Sequence, residues 1–310
     1  VPETLASATV PFARAGGAPR LDDLWFLVGS RCNLSCIHCY VGSSPSNDDL
    51  EQLTLDEVRR FLDEGARHGL AHVYFSGGEP FVNRDVLAML AAALEDGRRV
   101  TVLTNATRPL ERSLDEVVAL ACEADGRLDL RVSLDHYEPA RHDAIRGPGT
   151  FERTVDVTAA LARAGIRPIV TTTAEVLRGR PLTPDQVELA FTDVFARRGV
   201  SVDVKILPAV LEMGSQLERV DGPREVAPPT EAALAARGVD KASLMCSNGR
   251  SVLKRDGRVR VYPCPIIHEV PEYDLGGTLE ASFAVPVPLA HRACATYCCP
   301  EGGTRGSCTN

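Results

Sequence analysis

The sequence predicts an α/β protein, a parallel sheet covered by helices, followed by a small cysteine-rich appendage that contains a hairpin. Three observations carry that prediction. From residue 23, six short runs rich in Val, Ile and Leu alternate with amphipathic helical stretches, the pattern of strands buried on both faces. Several of the helical stretches begin with side chains suited to cap them. Six of the ten cysteines fall between positions 246 and 308, beyond the last strand-helix repeat.

Taken in order, residues 1–22 form an N-terminal extension. Its opening, VPETLASATVPFARAGGAPR, lacks the basic start and apolar core of a secretion signal and reads as a flexible leader or a substrate flap. DLWFLVG reads as the first strand, followed by a helix over 54–68, the strand HVYFSGG and a helix near 85–96. Next come the strand RVTVLTN, a helix near 114–124, the strand LDLRVSLD and a helix near 150–164. RPIVTTTAEV, a helix near 184–198 and VSVDVKILP complete the series by residue 210. Thr54 with Glu57, Ser113 with Glu116 and Thr183 with Gln186 are capping-box pairs, the last with Pro184 at the first helical position. Cys122, on the apolar stripe of LDEVVALACEAD, reads as core.

Six units are too few for a closed eight-stranded barrel and fit either an open doubly wound sheet or a partial barrel. In both, chemistry gathers at the C-terminal ends of the strands, where SRCNLSC, SGGEP, LTNAT and SLDHY fall. Residues 211–240, rich in Pro and Gly, read as a linker with a short helix near 230–237. In the unit 241–310, MCSNGRSVLKRDGRVRVYPCPII reads as a hairpin turning at Asp256-Gly257.

Composition narrows the function classes. A hydrophobic fraction of 44% with 25% charged residues is that of a soluble globular chain, and no apolar run approaches the ~20 residues needed to span a bilayer. The cytoplasm is the expected location. A net charge of -8 argues against nucleic acid as a partner, which excess Lys and Arg would serve, and suits a small cationic substrate or simple solubility. In a reducing compartment clustered cysteines bind metal or do chemistry more often than they form disulfides.

Cys32, Cys36 and Cys39 stand at the spacing C-x3-C-x2-C. Three thiolates can ligate three irons of a [4Fe-4S] cluster and leave the fourth iron open to an external ligand. Zinc is the alternative, with His38 as a fourth ligand, although its place directly before Cys39 makes that geometry awkward.

CNLSCIHCY after the first strand, SGGEP after the second, TNAT after the third and SLD after the fourth together resemble the radical S-adenosylmethionine (SAM) superfamily over about residues 23–210. The resemblance implies a partial (β/α)6 barrel. It implies that Cys32, Cys36 and Cys39 hold a [4Fe-4S] cluster whose open iron chelates SAM, and that reductive cleavage of SAM yields a 5′-deoxyadenosyl radical that takes a hydrogen atom from substrate. Tyr40 would lie against the adenine, and Gly77, Gly78 and Glu79 would form the edge that binds the methionine ammonium. Ser133 and Asp135 are candidates for the ribose hydroxyls, and Asn105 holds the same region or only terminates a strand. HDAIRGPGTF resembles a stretch in members with extra clusters, which makes Arg146 the candidate for the SAM carboxylate. An electron donor such as flavodoxin or ferredoxin follows from the same resemblance.

CSNGRSVLKRDGRVRVYPC resembles the start of the SPASM or twitch domains that carry auxiliary clusters. Cys264, Cys294, Cys298, Cys299 and Cys308 are candidate ligands, with Cys246 either a further ligand or a hydrogen-atom donor to a substrate radical. Six cysteines are too few for two clusters at four thiolates each, so one auxiliary [4Fe-4S] cluster is expected. The type resembled is that of radical SAM epimerases and dehydrogenases of aminoglycosides and aminocyclitols. The expected function is epimerisation of a small cationic carbohydrate, with dehydrogenation or peptide maturation as alternatives. Glu212, Glu269, Glu272 and Asp274 would suit an amino sugar or be plain surface. A protein that only carries electrons or clusters would have no use for SGGEP or an open iron.

Overall fold

Leu24 and Phe26 of the first strand turn to one face of the sheet while Trp25 and Leu27 turn to the other, and this alternation sorts the whole chain into layers. The computed structural model describes residues 7–177, 181–207, 213–219 and 226–295. Its six parallel strands are β1 (Asp23–Leu27), β2 (His72–Ser76), β3 (Arg99–Thr104), β4 (Leu128–Ser133), β5 (Ile169–Thr173) and β6 (Asp203–Leu207). They lie side by side in sequence order. A doubly wound sheet reverses its order at a switch point, so the unbroken order decides for the partial (β/α)6 barrel.

The helices in chain order are α1 (Leu55–Ala66), α2 (Val86–Leu94), α3 (Leu114–Ala124), α4 (Pro139–Arg146), α5 (Thr150–Arg163) and α6 (Pro184–Ala196), of which all but α4 contribute apolar side chains to the layer on the outer face. Leu24, Phe26, Val73, Phe75, Val100 and Val102 meet Phe61, Met89 and Leu90 there. Val170 meets Phe191 and Phe195 in a second cluster beneath α6. Apolar burial on this face is the main stabilising term, at roughly 25 cal/mol per Å². The capping boxes of Thr54 with Glu57 and Thr183 with Gln186 are both formed. Ser113 caps nothing with its side chain, because a short helix, Arg108–Arg112, ends on it and holds it at φ -110°, ψ 19° rather than in the extended shape a capping box needs.

Cys122 corrects the sequence reading, being exposed. α3 buries Val117 and Ala124, and a residue five positions past Val117 sits roughly 140° around the helix from it. From residue 7 onward the N-terminal segment is packed, where a flexible leader or flap was expected. Thr9–Val10 pairs antiparallel with Val287–Pro288, Ala8 and Val10 are buried, and the Phe12 ring stacks on Phe283 at 4.3 Å.

Strands β7 (Gly249–Arg255) and β8 (Arg258–Tyr262) form the expected hairpin, with Asp256 and Gly257 both at positive φ (50° and 69°) as a two-residue turn of this kind requires. β7 also pairs parallel with β1, Gly249 to Asp23 through Val252 to Phe26, so the hairpin extends the barrel sheet to eight strands. The inner-face residues Trp25, Leu27 and Tyr74 therefore pack against Met245, Leu253, Tyr262 and Cys264. No helix among the described residues is long and apolar enough to cross a membrane.

Candidate active site

Where β1 to β4 end, the loops leaving them enclose an open cleft of about 660 Å³, its mouth included. Cys32, Cys36, Cys39 and Tyr40 line it from the loop after β1, Gly77 and Gly78 from the turn after β2, Asn105 from beyond β3, Ser133 from the end of β4 and Arg146 from α4. Glu79 and Asp135 are not among its lining residues.

The cysteine loop is pinned by its backbone. The Cys32 N–H donates to Ser44 O (3.0 Å), Ile37 N–H to Ile145 O (3.0 Å) and Ser215 N–H to Cys39 O (2.9 Å). Two thiols accept from nearby amides, Cys32 Sγ from Leu34 N–H (3.4 Å) and Cys39 Sγ from Ser43 N–H (3.3 Å). Burial pushes the Cys32 thiol up to about 12, and raises Cys36 against the opposing charge of Arg146. Iron binding must therefore displace protons here.

The fold itself requires glycine at 77 and 78. At Gly77, where φ is 123°, a β-carbon would stand 2.4 Å from Gly29 O, and at Gly78 it would stand 2.1 Å from Arg31 O. The turn is wedged against the backbone that leads into the cysteines. Glu79 departs from expectation. Its carboxylate accepts from Thr104 Oγ1 (2.8 Å), Asn105 N–H (2.7 Å) and Phe81 N–H (3.3 Å), so it ties the end of β2 to the end of β3. Burial pushes it up to about 7 against those hydrogen bonds.

Asn105 does more than end a strand. Its Nδ2 donates to Cys32 Sγ (3.7 Å) and to Asn33 Oδ1 (3.1 Å), while its Oδ1 accepts from Thr107 N–H (3.1 Å). The next residue, Ala106, is buried at a positive φ of 49°, strain of the sort that collects at functional sites.

Asp135 is held by Arg146 through both guanidinium Nε and Nη2, and His38 Nε2 lies 3.0 Å from its Oδ1. Burial opposes ionisation of Asp135, but Arg146 and His38 outweigh it and hold the carboxyl well below the usual carboxylate range. Arg146 is shifted up in turn, Asp135 overcoming the effect of burial. His142, one helical turn before Arg146, accepts from the Asp135 N–H at Nδ1 (3.2 Å), so one face of α4 grips residue 135 at backbone and side chain. His38, awkward as a zinc ligand from sequence, is the site residue whose actual partner the sequence reading did not find. Its partner lies nearly a hundred positions on, and only the closing of the loop onto α4 brings them together.

These residues fit an iron-sulfur cluster better than zinc. His38 is turned to Asp135, and no group of three His, Cys, Asp or Glu among the described residues is arranged to hold a single metal ion. Three thiols instead ring an open cleft with the Asn105 amide aimed at one sulfur, the donor set and hydrogen bonding a four-iron cube accepts.

A second cysteine centre lies on the C-terminal side. Cys246, Cys264 and Cys294 line one cavity whose other walls are apolar, among them Leu244, Ile266, Ile267 and Leu289. Among the described residues no cysteine is disulfide-bonded. Cys298, Cys299 and Cys308 lie outside the described residues, as does Glu212. Tyr273 belongs to the same apolar cluster as Cys264 and Cys294, and burial with Cys294 pushes its hydroxyl up to about 12. Asp274 is tied to Arg260 at 2.7 Å, while Glu269 and Glu272 are exposed.

Residues 26–191, more than half of the chain, match the Radical SAM superfamily. An AdoMet-dependent heme synthase of Methanosarcina barkeri is 38% identical over 139 residues, 44% of this chain and 38% of its own length. Mycofactocin maturase MftC of Mycobacterium tuberculosis is 28% identical over 258 residues, 77% of this chain and 63% of its own. The chain thus spans between about two fifths and under two thirds of the length of these relatives. Streptococcus suis SuiB, solved with its precursor peptide SuiA, superposes with a TM-score of 0.56 at 14% identity over 85% of this chain and 65% of that one, a likeness of fold. With the profile match added to the three-cysteine cleft on a partial barrel, the chain belongs to the radical SAM superfamily.

Proposed function

We propose that this radical SAM enzyme carries one auxiliary [4Fe-4S] cluster beside the SAM cluster and oxidatively modifies a peptide. The observation that carries the reading is the meeting of Cys246, Cys264 and Cys294 in one apolar cavity on the inner side of the barrel sheet. When bound, the clusters and SAM supply hydrogen-atom abstraction and a sink for the substrate's second electron.

The protein's own residues bind and orient. Cys32, Cys36 and Cys39 ligate iron, and Asn105 directs a donor at the Cys32 sulfur. Asp135 and His142 present Arg146 toward the SAM carboxylate, leaving the rest of its fork for that group. Backbone carbonyls at Gly77 and Gly78, rather than the enclosed Glu79 carboxylate, receive the methionine ammonium, while Ser133 serves the ribose and Tyr40 the adenine. Cys246 is read as an auxiliary ligand, since it shares a cavity with two other cysteines, and the thiol-donor argument for epimerisation weakens accordingly.

A cationic carbohydrate substrate loses its support. Of the described acidic residues expected to bind it, Asp274 is paired with Arg260, and Glu269 and Glu272 face solvent without lining the three-cysteine cleft. MftC, matched over 77% of this chain, is a maturase, and SuiB was solved with a precursor peptide. Peptides translated from short reading frames beside this gene, incubated with reduced protein and SAM, are expected to raise 5′-deoxyadenosine release and to lose about 2 Da, the mass of the hydrogens removed. Amino sugars producing that stimulation while peptides do not would overturn the peptide reading.

A further inference from the structure

Arg250, the second residue of β7, is 0% exposed and is the largest fully buried side chain among the described residues. Its guanidinium lies 4.2 Å from the centroid of the Phe12 ring and 6.0 Å from that of Phe283. All of its hydrogen bonds go to neutral acceptors: Nη1 donates to Cys246 O (2.8 Å) and Gly249 O (2.7 Å), Nε to Ser282 Oγ (3.1 Å) and Nη2 to Ser282 O (3.0 Å). No carboxylate pairs with it among the described residues. A buried cation without a countercharge is strongly destabilising, and folded chains rarely keep one.

Among the described residues, the negative charge nearest in the bonding pattern would come from the cysteines that follow Cys246 into its cavity. Arg250 grips the carbonyl of Cys246, and Cys246 opens onto the cavity that Cys264 and Cys294 share. The guanidinium itself packs on the Phe12 and Phe283 side of the sheet, and its link to that cavity is the Cys246 carbonyl, so iron-bound thiolates there would add net negative charge one residue from its hydrogen bond. We propose that Arg250 is the built-in counter-cation of the auxiliary site, a positioning residue that fixes the Cys246 backbone and balances the charge of the iron-bound thiolates.

Two consequences follow, both resting on the auxiliary-cluster reading above. A fixed positive charge beside the cluster favours its more negative, reduced form and so raises its reduction potential. The packing of Phe12 and Phe283 onto the same guanidinium also couples the N-terminal segment and the short helix Leu279–Phe283 to iron occupancy.

The test uses the full chain, reconstituted anaerobically with iron and sulfide, with iron content and a spectroscopic redox titration as readouts. Wild type is expected to hold about eight irons, two cubes. Arg250→Met is expected to hold about four, or to keep about eight with the reduced fraction of the second cluster down tenfold or more at a fixed applied potential. Arg250→Lys, which keeps the charge, is expected to stay near wild type. About four irons in wild type would sink the auxiliary-cluster reading and this inference with it. A wild-type iron count and unchanged reduced fraction in Arg250→Met would overturn the role of Arg250 and leave the cluster reading intact. If Arg250→Met fails to fold, Arg250→Lys decides, since loss of the second cluster despite the retained charge overturns the proposal and retention supports it.

Discussion

A β-carbon on Gly78 would stand 2.1 Å from the carbonyl oxygen of Arg31, so the turn after β2 and the strand exit that leads into Cys32 share one fixed spacing. The Gly78 N–H donates to Gly29 O (2.8 Å) and the Glu79 N–H to Arg31 O (3.1 Å), which leaves neither backbone free to retreat. Gly78→Ala is expected to cost about 1–3 kcal/mol in denaturant unfolding. It should also loosen iron binding at Cys32, Cys36 and Cys39, and iron content unchanged from wild type would count against this coupling.

Glu79 gives the metal-free protein a pH signature. Burial raises its carboxyl from 4.5 to about 7, so between those values the folded chain holds a proton that the unfolded chain has released. Stability therefore falls as pH rises through that window, by on the order of 3 kcal/mol. Glu79→Gln is expected to flatten this stretch of the stability profile. An equal slope in the variant would place its origin elsewhere.

Asp135 carries the opposite shift, and its loss leaves Arg146 buried without an anion. Asp135→Asn is expected to destabilise by about 3–5 kcal/mol and to weaken SAM binding. The double variant Asp135→Leu with Arg146→Met should recover much of the stability and none of the SAM affinity. Calorimetric unfolding and equilibrium binding of SAM separate the two effects.

Cys246→Ala distinguishes ligand from hydrogen donor. As a ligand, its removal should cut iron from about eight to about four per chain while SAM cleavage continues. Full iron content with a lost stereochemical inversion would restore the donor role.

Local chemistry made much of the fold legible. The capping boxes at Thr54 and Thr183 and the turn at Asp256-Gly257 each encode their geometry within four residues, and all three are formed. Ser113 misled because the capping pattern does not register that a short helix ends on the same residue. Pairings across the chain had no local signal: β7 against β1, Phe12 on Phe283 and His38 on Asp135. The cleft was partly legible, since the cysteine spacing marks the three thiols that line it. The steric need for Gly77 and Gly78 was not, because the backbone they press against belongs to an earlier loop with no signal in the local sequence.

The most direct measurement is 5′-deoxyadenosine release from SAM by the anaerobically reconstituted, reduced chain, compared with its Cys36→Ala variant. Release by wild type, and none by a variant that retains the auxiliary cluster, is the expected result. No release from wild type with a full complement of iron, or equal release from Cys36→Ala, would contradict the assignment of Cys32, Cys36 and Cys39 to the SAM cluster.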